Sequence, residues 1–199
     1  MPAKSPVRRR AMTALKREQI IEQAIRTIGR RGFSGFSLQE LAAACGLTNA
    51  GLLYHFPSKE KLLVELLDES QRRDAEAIAA ALRLADPDAA DPAAILRAIV
   101  AQTAAEPELA RLYAVLQAES LDVTHPAHEI FLARERSTLE KFRQLVAGQV
   151  ADPLATAREL LALMVGLEQQ WLRANMGFDF VEAWDHGAAR LLQRAAGAA

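Results

Sequence analysis

The chain has 199 residues, of which 51% are hydrophobic and 25% are charged, a composition typical of a globular protein of one or two domains. Its single cysteine, Cys45, excludes an intramolecular disulfide framework and a thiolate zinc site. No apolar run reaches the roughly 18 residues of a membrane helix, and the N-terminus lacks the apolar segment of an export signal. We therefore expect a cytoplasmic protein that does not enter a membrane.

The net charge of −1 conceals an asymmetry along the chain. Residues 1–61 contain eleven Lys and Arg against four Asp and Glu, whereas the remainder contains thirteen against twenty-one. A basic N-terminal part favours contact with a polyanion such as DNA. We expect residues 1–15 to form a flexible arm whose cations bind phosphates or enter the minor groove. These cations, with two that follow the arm, are Lys4, Arg8, Arg9, Arg10, Lys16 and Arg17. A basic tail that only aids solubility is the alternative.

Three helices are predicted in the N-terminal part. Apolar residues at helical spacing over 16–31 predict a helix that ends near Gly32. The sequence SLQE at 37–40 matches a capping box and predicts a short helix that runs to about Cys45. Gly46 permits a tight turn, and Thr48 can cap another short helix that ends near His55.

Short helices joined by a glycine turn predict a helix-turn-helix unit over residues 16–61, in which the second helix of the motif enters the major groove of DNA. Paired helices of this kind also occur in bundles that bind no nucleic acid. The basic charge of the same segment favours DNA binding.

The run from Gly32 to Leu63 resembles the DNA-binding domain of the TetR family of bacterial repressors. The residues that carry the resemblance are Gly35, Leu41, Ala42, Gly46, Tyr54, His55, Phe56, Ser58, Lys59, Leu62 and Leu63. They cover about a quarter of the chain. The resemblance implies an all-α fold with an N-terminal three-helix DNA-binding domain, followed by a C-terminal helical bundle that binds a ligand and dimerises.

One position departs from the family pattern. The family commonly has tyrosine where this chain has Leu53, and Tyr54 is the next residue. Because one residue turns a helix by about 100°, Tyr54 need not replace the absent hydroxyl.

Eight residues are predicted to contact DNA: Gln39, Thr48, Asn49, Ala50, Gly51, Tyr54, His55 and Lys59. In the reading helix, Asn49 can pair with an adenine edge and Ala50 can touch a thymine methyl group. Tyr54 and His55 are interpreted as phosphate donors. Lys59 lies in the first turn of a helix, where a cation is unfavourable unless an anion such as a phosphate is near. The alternatives are simple caps at 48–49, a solvated glutamine at 39 and a structural histidine at 55.

The rest of the chain, residues 62–199, is predicted to be a larger helical domain. A long helix should run from Ser58 to about Leu84 and is followed by the loop sequence ADPDAADPA, with a new cap at Asp91. Further helices are expected at about 92–104, 107–121, 126–150, 153–175 and 180–195. The total is about nine helices.

Two functions are predicted for this domain. An effector pocket between helices 107–121, 126–150 and 153–175 would be lined by Tyr113, Leu116, Gln117, Phe131, Phe142, Met164 and Trp171. Plain packing is the alternative for each of these residues. The apolar excess of the last two helices, 153–175 and 180–195, predicts a four-helix bundle with a second copy and hence a homodimer. Intramolecular core is the alternative there.

Enzyme signatures are absent from the sequence. His125, His128 and Glu129 could share a helical face, but no third metal-binding partner is identifiable. No Glu-x-x-His motif, glycine-rich phosphate loop or G-x-S-x-G motif occurs. We therefore predict neither catalysis nor a metal or other cofactor.

The sequence predicts a dimeric DNA-binding transcriptional regulator, a repressor that binds a palindromic operator and releases it when a small molecule binds. The long helix from Ser58 is the predicted lever between the domains. Two rival hypotheses remain open: a regulator controlled by a protein partner, and a helical-bundle small-molecule binder or enzyme whose helix-turn-helix is incidental.

Overall fold

The computed structural model describes residues 6–84 and 91–197, which form nine α-helices and no strand. The helices are α1 Pro6–Arg31, α2 Leu38–Ala44, α3 Asn49–His55, α4 Lys59–Leu84, α5 Pro92–Ala105, α6 Pro107–Glu119, α7 His128–Val146, α8 Pro153–Arg173 and α9 Phe180–Gly197. The all-α class predicted from helical periodicity is confirmed. We refer to α1–α3 as the head and to α5–α9 as the body, with α4 between them.

The first helix begins at Pro6, ten residues before the predicted start at Lys16. The predicted arm is therefore helical from Pro6 onward. Proline is favoured at the first position of a helix, and the residues that follow it include no further proline or glycine until Gly29. Lys4 lies outside the described residues, as do the side chains of Arg8–Arg10.

Local caps explain where most helices begin. The Ser37 hydroxyl accepts a hydrogen bond from the Glu40 amide at 3.2 Å, and the Glu40 carboxylate accepts one from the Ser37 amide at 2.9 Å. The hydrogen bonds that the Ser37 amide and hydroxyl donate to the Glu40 carboxylate lower the pKa of Glu40. Asp91 and Asp152 cap α5 and α8, each followed by a proline at the first helical position. The predicted loop at 85–90 lies outside the described residues.

The seventh helix is shorter than the predicted span of 126–150. A turn occupies the predicted start, because the Asp122 carboxylate accepts hydrogen bonds from the amide and hydroxyl of Thr124, and His125 Nδ1 accepts one from the Ala127 amide. Pro126 therefore precedes the helix. The helix ends at Val146, where the following residue leaves the helical conformation.

Two apolar cores hold the molecule together. The first core joins all three helices of the head to α4 and α6, and its fully buried members include Ile20, Leu41, Leu52, Leu66 and Leu112. The second core joins α5, α7, α8 and α9 around Trp171 and Trp184. The first core thus crosses the predicted domain boundary at residue 61, because α6 of the body completes it.

The head is seated on α6 at a close helix crossing. A Cβ atom on Gly29 would lie 3.3 Å from the Leu112 amide nitrogen and 3.6 Å from the Glu108 carbonyl oxygen. The absence of a side chain at Gly29 therefore lets the backbones of α1 and α6 approach each other. This crossing fixes the side of the head that faces the body and leaves α3 on another side.

Candidate nucleic-acid interface

A tight turn joins the two short helices of the head. The amides of Gly46 and Leu47 donate to the carbonyls of Ala43 and Ala42 at 3.0 and 2.8 Å. Gly46 has a φ of +64°, a left-handed conformation that glycine adopts without strain. Leu47 then packs against the first core. This turn sets the angle at which α3 leaves α2.

The third helix begins with a side-chain cap. The Thr48 hydroxyl accepts a hydrogen bond from the Gly51 amide at 3.1 Å, so its capping role is satisfied within the protein. Thr48 is exposed, and its hydroxyl makes the bond expected of the capping alternative for this residue. Gly51 is half-buried, and a Cβ atom there would lie 3.2 Å from the Thr48 hydroxyl.

The two sides of α3 differ in exposure. Leu52 and the following Phe56 are completely buried and anchor the helix to the first core. Asn49, Ala50 and Tyr54 are exposed, and the exposed fraction of Tyr54 is 81%. Residues 50 and 54 are neighbours on one helical face, since their spacing is four. The helix therefore presents a small residue, an amide and a phenol to the solvent on a rigid support.

The aromatic end of α3 is partly ordered by its own neighbours. The rings of Tyr54 and His55 pack edge to face with centroids 5.3 Å apart. Leu53, the residue that departs from the family pattern, is half-buried. Tyr54 is therefore the phenol that α3 exposes.

Two of the predicted phosphate-binding cations are engaged inside the protein. Lys16 Nζ donates to Gln19 Oε1 at 3.3 Å and to the Cys45 carbonyl oxygen at 3.4 Å. Arg17 forms an ion pair with Glu65 of α4 and donates to the His55 carbonyl oxygen at 3.2 Å. Its guanidinium also lies 4.6 Å from the centroid of the Phe56 ring. Arg17 thus joins α1, the end of α3 and α4.

Lys59 is also held by the protein. Its ammonium lies 4.6 and 4.4 Å from the ring centroids of Phe33 and Phe36. Partial burial lowers the pKa of Lys59, and the nearby carboxylates of Glu60, Glu119 and Glu40 act in the opposite direction. The aromatic rings therefore supply part of the stabilisation of the Lys59 charge that was expected from a phosphate. Gln39 is exposed on α2.

The residues predicted to line an effector pocket fall into two groups. Leu116 is buried in the first core, with Tyr113 and Phe131 packed against it. Phe142, Met164 and Trp171 belong to the second core, where Trp171 stacks on Phe180. Gln117 is half-buried on α6.

An unpredicted polar pair lies beside the first group, where Arg134 contacts Tyr113. Arg134 of α7 donates to the Tyr113 hydroxyl at 2.8 Å, and its guanidinium carbon lies 4.2 Å from the centre of that ring. Phe131 packs edge to face on the same ring with centroids 5.9 Å apart. No local pattern in the sequence predicts this pair, because its members lie 21 positions apart on different helices.

The histidines considered as metal ligands serve the turn between α6 and α7. His125 accepts from the Ala127 amide, and His128 Nδ1 lies 2.8 Å from the Ser120 carbonyl oxygen. Within the described ranges, no three His, Cys, Asp or Glu side chains are grouped so that they could hold a metal ion. In the same part of the chain, no helix has the length and apolar character needed to cross a membrane.

Comparison with known proteins places the head among bacterial regulators. Residues 20–66 match the model of the family described as bacterial regulatory proteins, tetR family. The HTH-type transcriptional regulator RutR of Escherichia coli strain K12 is 40% identical over 60 residues, which cover 30% of this chain and 28% of RutR. The matched segment thus spans less than a third of that relative.

Two further similarities extend over most of the chain. The HTH-type transcriptional regulator AcrR of Shigella flexneri is 26% identical over 190 residues, which cover 88% of this chain and 87% of AcrR. The crystal structure of AibR in complex with isovaleryl coenzyme A and operator DNA has a TM-score of 0.69 at 23% identity, covering 89% of this chain and 98% of that one. The second similarity shows a shared fold.

Proposed function

Because the chain belongs to the TetR family of bacterial regulatory proteins and is a DNA-binding transcriptional regulator, we propose that it is a repressor that binds a palindromic operator as a homodimer and releases it when a small molecule binds the body. The observation that carries the proposal is the exposed face of α3. This face is held on a buried anchor and lies within the basic N-terminal part of the chain.

We assign base contacts to Asn49 and Ala50 and a phosphate contact to Tyr54. The amide of Asn49 can form two hydrogen bonds with an adenine edge, and the methyl group of Ala50 fits against a thymine methyl. The exposed phenol of Tyr54 can donate to a phosphate oxygen. Thr48 and Gly51 support these contacts by shaping the first turn of α3. Gln39, His55 and Lys59 are proposed as peripheral contacts of the same surface.

Selection from a pool of randomised DNA duplexes tests this assignment. We expect enrichment of an inverted repeat that is bound by two protomers, since a symmetric dimer reads two half-sites. Asn49→Ala should weaken binding by about 1–3 kcal/mol and relax the preference at one position of each half-site. Ser137→Ala, a polar-to-alanine change at an exposed position of α7, is the matched control. Binding that ignores sequence and disappears as salt rises would contradict the proposal.

The proposed dimer interface is formed by α8 and α9. Several apolar residues of these helices remain only partly buried in the single chain, among them Leu161, Leu167, Leu191 and Leu192. Gly166 of α8 has open space around it, because a Cβ atom there would meet nothing within 4 Å. A glycine at such a place allows another helix to approach closely. Burial of these residues against a second copy would complete the second core.

A single substitution separates dimerisation from folding. Gly166→Arg adds a large charged side chain where the single chain has room, and arginine favours a helix more than glycine does. We expect folded monomers by sedimentation equilibrium and the loss of tight operator binding. Ala133→Arg, at an exposed position of α7, adds the same side chain away from the proposed interface. Dimers of Gly166→Arg as stable as those of the unmodified protein would remove α8 from the interface.

The proposed effector site lies between α6 and α7, which is part of the predicted region between α6, α7 and α8, whereas Met164 and Trp171 of α8 belong to the second core. Tyr113, Gln117 and Phe131 are the half-buried members of the predicted set, and the Arg134 guanidinium adds a cation beside Tyr113. Among the structural relatives, AibR binds isovaleryl coenzyme A, so acyl-CoA thioesters are the first compounds to test. An effector should raise the melting temperature of the free protein and lower its affinity for the selected duplex. If none of the compounds tested changes the operator affinity, the result would favour the rival hypothesis of a regulator controlled by a protein partner.

A further inference from the structure

A long-range hydrogen bond between the turn after α1 and the end of α6 joins the head to the body, in addition to the exposed pair of Arg30 and Glu108. Oε2 of Glu119, the last residue of α6, accepts a hydrogen bond from the Phe33 amide at 2.9 Å, although the two residues lie 86 positions apart. Phe33 lies in the turn that leads from α1 to α2. A side chain of the body therefore binds the backbone of the head at the turn that precedes the helix-turn-helix.

The shape of this turn accommodates the carboxylate. Gly32 has a φ of +75°, and a Cβ atom at this position would overlap Oε1 of Glu119. The left-handed conformation favours glycine at position 32, and the space beside this glycine is filled by the Glu119 carboxylate, which a larger residue would displace. This fit makes the contact more than an incidental surface hydrogen bond.

Aromatic and cationic groups surround the same carboxylate. The Phe33 ring packs edge to face against His125 with centroids 5.3 Å apart, and the Lys59 ammonium lies over the ring. His125 Nε2 lies 3.7 Å from Glu119 Oε2, and the His125 side chain is only 9% exposed. Glu119 thus faces groups from the turn after α1, from α4 and from the turn between α6 and α7. A shift of α6 would move all of these contacts together.

We propose that Glu119 is a positioning residue for DNA binding: its carboxylate, carried by α6, holds the turn after α1 and thereby fixes the orientation of the head relative to the body. The proposal rests on the proposed function, because it assumes that α3 is the surface that contacts DNA. In a symmetric dimer, the orientation of each head sets the distance between the two reading helices. Loss of the bond would leave each head intact and still packed on α6 through the first core, but the turn after α1 would no longer be held in place.

The direction of the change in DNA affinity distinguishes a positioning role of Glu119 from an effect of its charge alone. Removing a carboxylate makes the protein more positive, and this change alone would strengthen its attraction to DNA. Loss of positioning predicts weaker binding instead. Glu119→Ala removes the charge and the acceptor, whereas Glu119→Gln removes the same charge but keeps an oxygen that can accept from the Phe33 amide. The two variants therefore distinguish the two explanations.

The experiment uses the full-length protein and the duplex selected from the randomised pool. For Glu119→Ala we expect about tenfold weaker operator binding and about tenfold faster hydrogen exchange at the Phe33 amide, the effect of losing one hydrogen bond to a charged acceptor. The salt dependence of binding should not change, because no phosphate contact is lost. Glu119→Gln should restore both quantities to within about threefold. Glu135→Ala, at an exposed position of α7, controls for the loss of a carboxylate.

Two results would overturn the inference. One is operator binding by Glu119→Ala that equals or exceeds that of the unmodified protein. The other is unchanged exchange at Phe33 in Glu119→Ala, which would show that the hydrogen bond does not hold the turn. Thermal melting of each variant tests whether it is folded. If Glu119→Ala does not fold, Glu119→Asp replaces it, because aspartate keeps the charge but is one methylene too short to reach the Phe33 amide, and it too should bind the operator more weakly. An unmodified protein that selects no duplex overturns the proposed function itself, whereas failure confined to the Glu119 variants overturns only the positioning role.

Discussion

Arg17 is the residue for which the structure and the sequence make opposite predictions. As part of a basic N-terminal segment, Arg17 is expected from the sequence to bind a DNA phosphate. In the structure, its guanidinium pairs with Glu65, donates to the His55 carbonyl oxygen and lies over the Phe56 ring. Replacement by alanine should therefore lower the free energy of unfolding of the free protein.

The magnitude follows from the three contacts. The side chains of Arg17 and Glu65 are 40% and 32% exposed, so solvent screens the ion pair and each contact is counted at the low end of its range. A charge-assisted hydrogen bond contributes about 1.5 kcal/mol, the cation–π contact about 0.5 and the screened ion pair about 0.2. The expected loss is about 2 kcal/mol, or about 4–8 °C in melting temperature for a chain of this size.

Urea denaturation without DNA, compared with operator binding over a salt series, decides between the two roles. Arg17→Lys is the informative variant, because lysine keeps the charge but lacks the planar guanidinium, which can donate a hydrogen bond and stack on an aromatic ring at the same time. A structural role predicts that Arg17→Lys loses more than half of the stability lost in Arg17→Ala, with an unchanged salt slope. A phosphate contact predicts unchanged stability and, for Arg17→Ala, a salt slope smaller by about 1. This second outcome would refute the structural role of Arg17.

Two further predictions concern local stability. Ser37→Ala removes the cap of α2 and should cost about 1 kcal/mol by urea denaturation, whereas Ser34→Ala, at an exposed position before α2, should cost little. Hydrogen bonds from Arg72 lower the pKa of Glu69 from 4.5 to about 2, with further bonds from Arg73. A carboxyl whose pKa is lower in the folded protein stabilises the fold above its ordinary pKa and loses that effect as pH falls. The unmodified protein should therefore lose more stability between about pH 5 and pH 2 than Glu69→Gln does, and equal losses would contradict the assignment.

The helices of this protein could be predicted from the sequence because their signals are local. The cap at Ser37 lies three residues from its partner Glu40, and the caps at Asp91 and Asp152 lie two residues from the amides they bind. Such signals lie within a few residues along the chain. The start of α1 differs from the prediction because the three consecutive arginines at 8–10 indicated a flexible arm, although Val7, Ala11 and Leu15 also recur at helical spacing. The positive charge of this segment indicated a flexible tail, but its residues have sufficient helix propensity to form the start of α1.

The roles of individual cations could not be predicted in the same way. Arg17 lies 38 positions from the carbonyl it bonds, and Lys59 lies over rings that precede α2. Sequence shows that a residue is positive but not which distant group it faces. The residues predicted to line the effector site lie in two separate cores, and the sequence could not show this for a related reason. Helical periodicity shows that Leu116 and Met164 face inward, but it does not show that they enter different cores.

The arrangement of the cores changes the expected route between effector and DNA. The sequence indicates α4 as the lever, since it follows the head directly. In the structure, α6 contributes Leu109, Leu112 and Leu116 to the core of the head and Ala110 to the second core. Interiors are close-packed, so a displacement of α6 cannot be absorbed on one side only. An effector bound against α6 would therefore act on the head through the first core and through Glu119, with α4 moving because Leu66 and Leu67 share that core. A coupling of about 1–3 kcal/mol, the usual range for such regulation, is comparable to the loss of one buried contact at this junction.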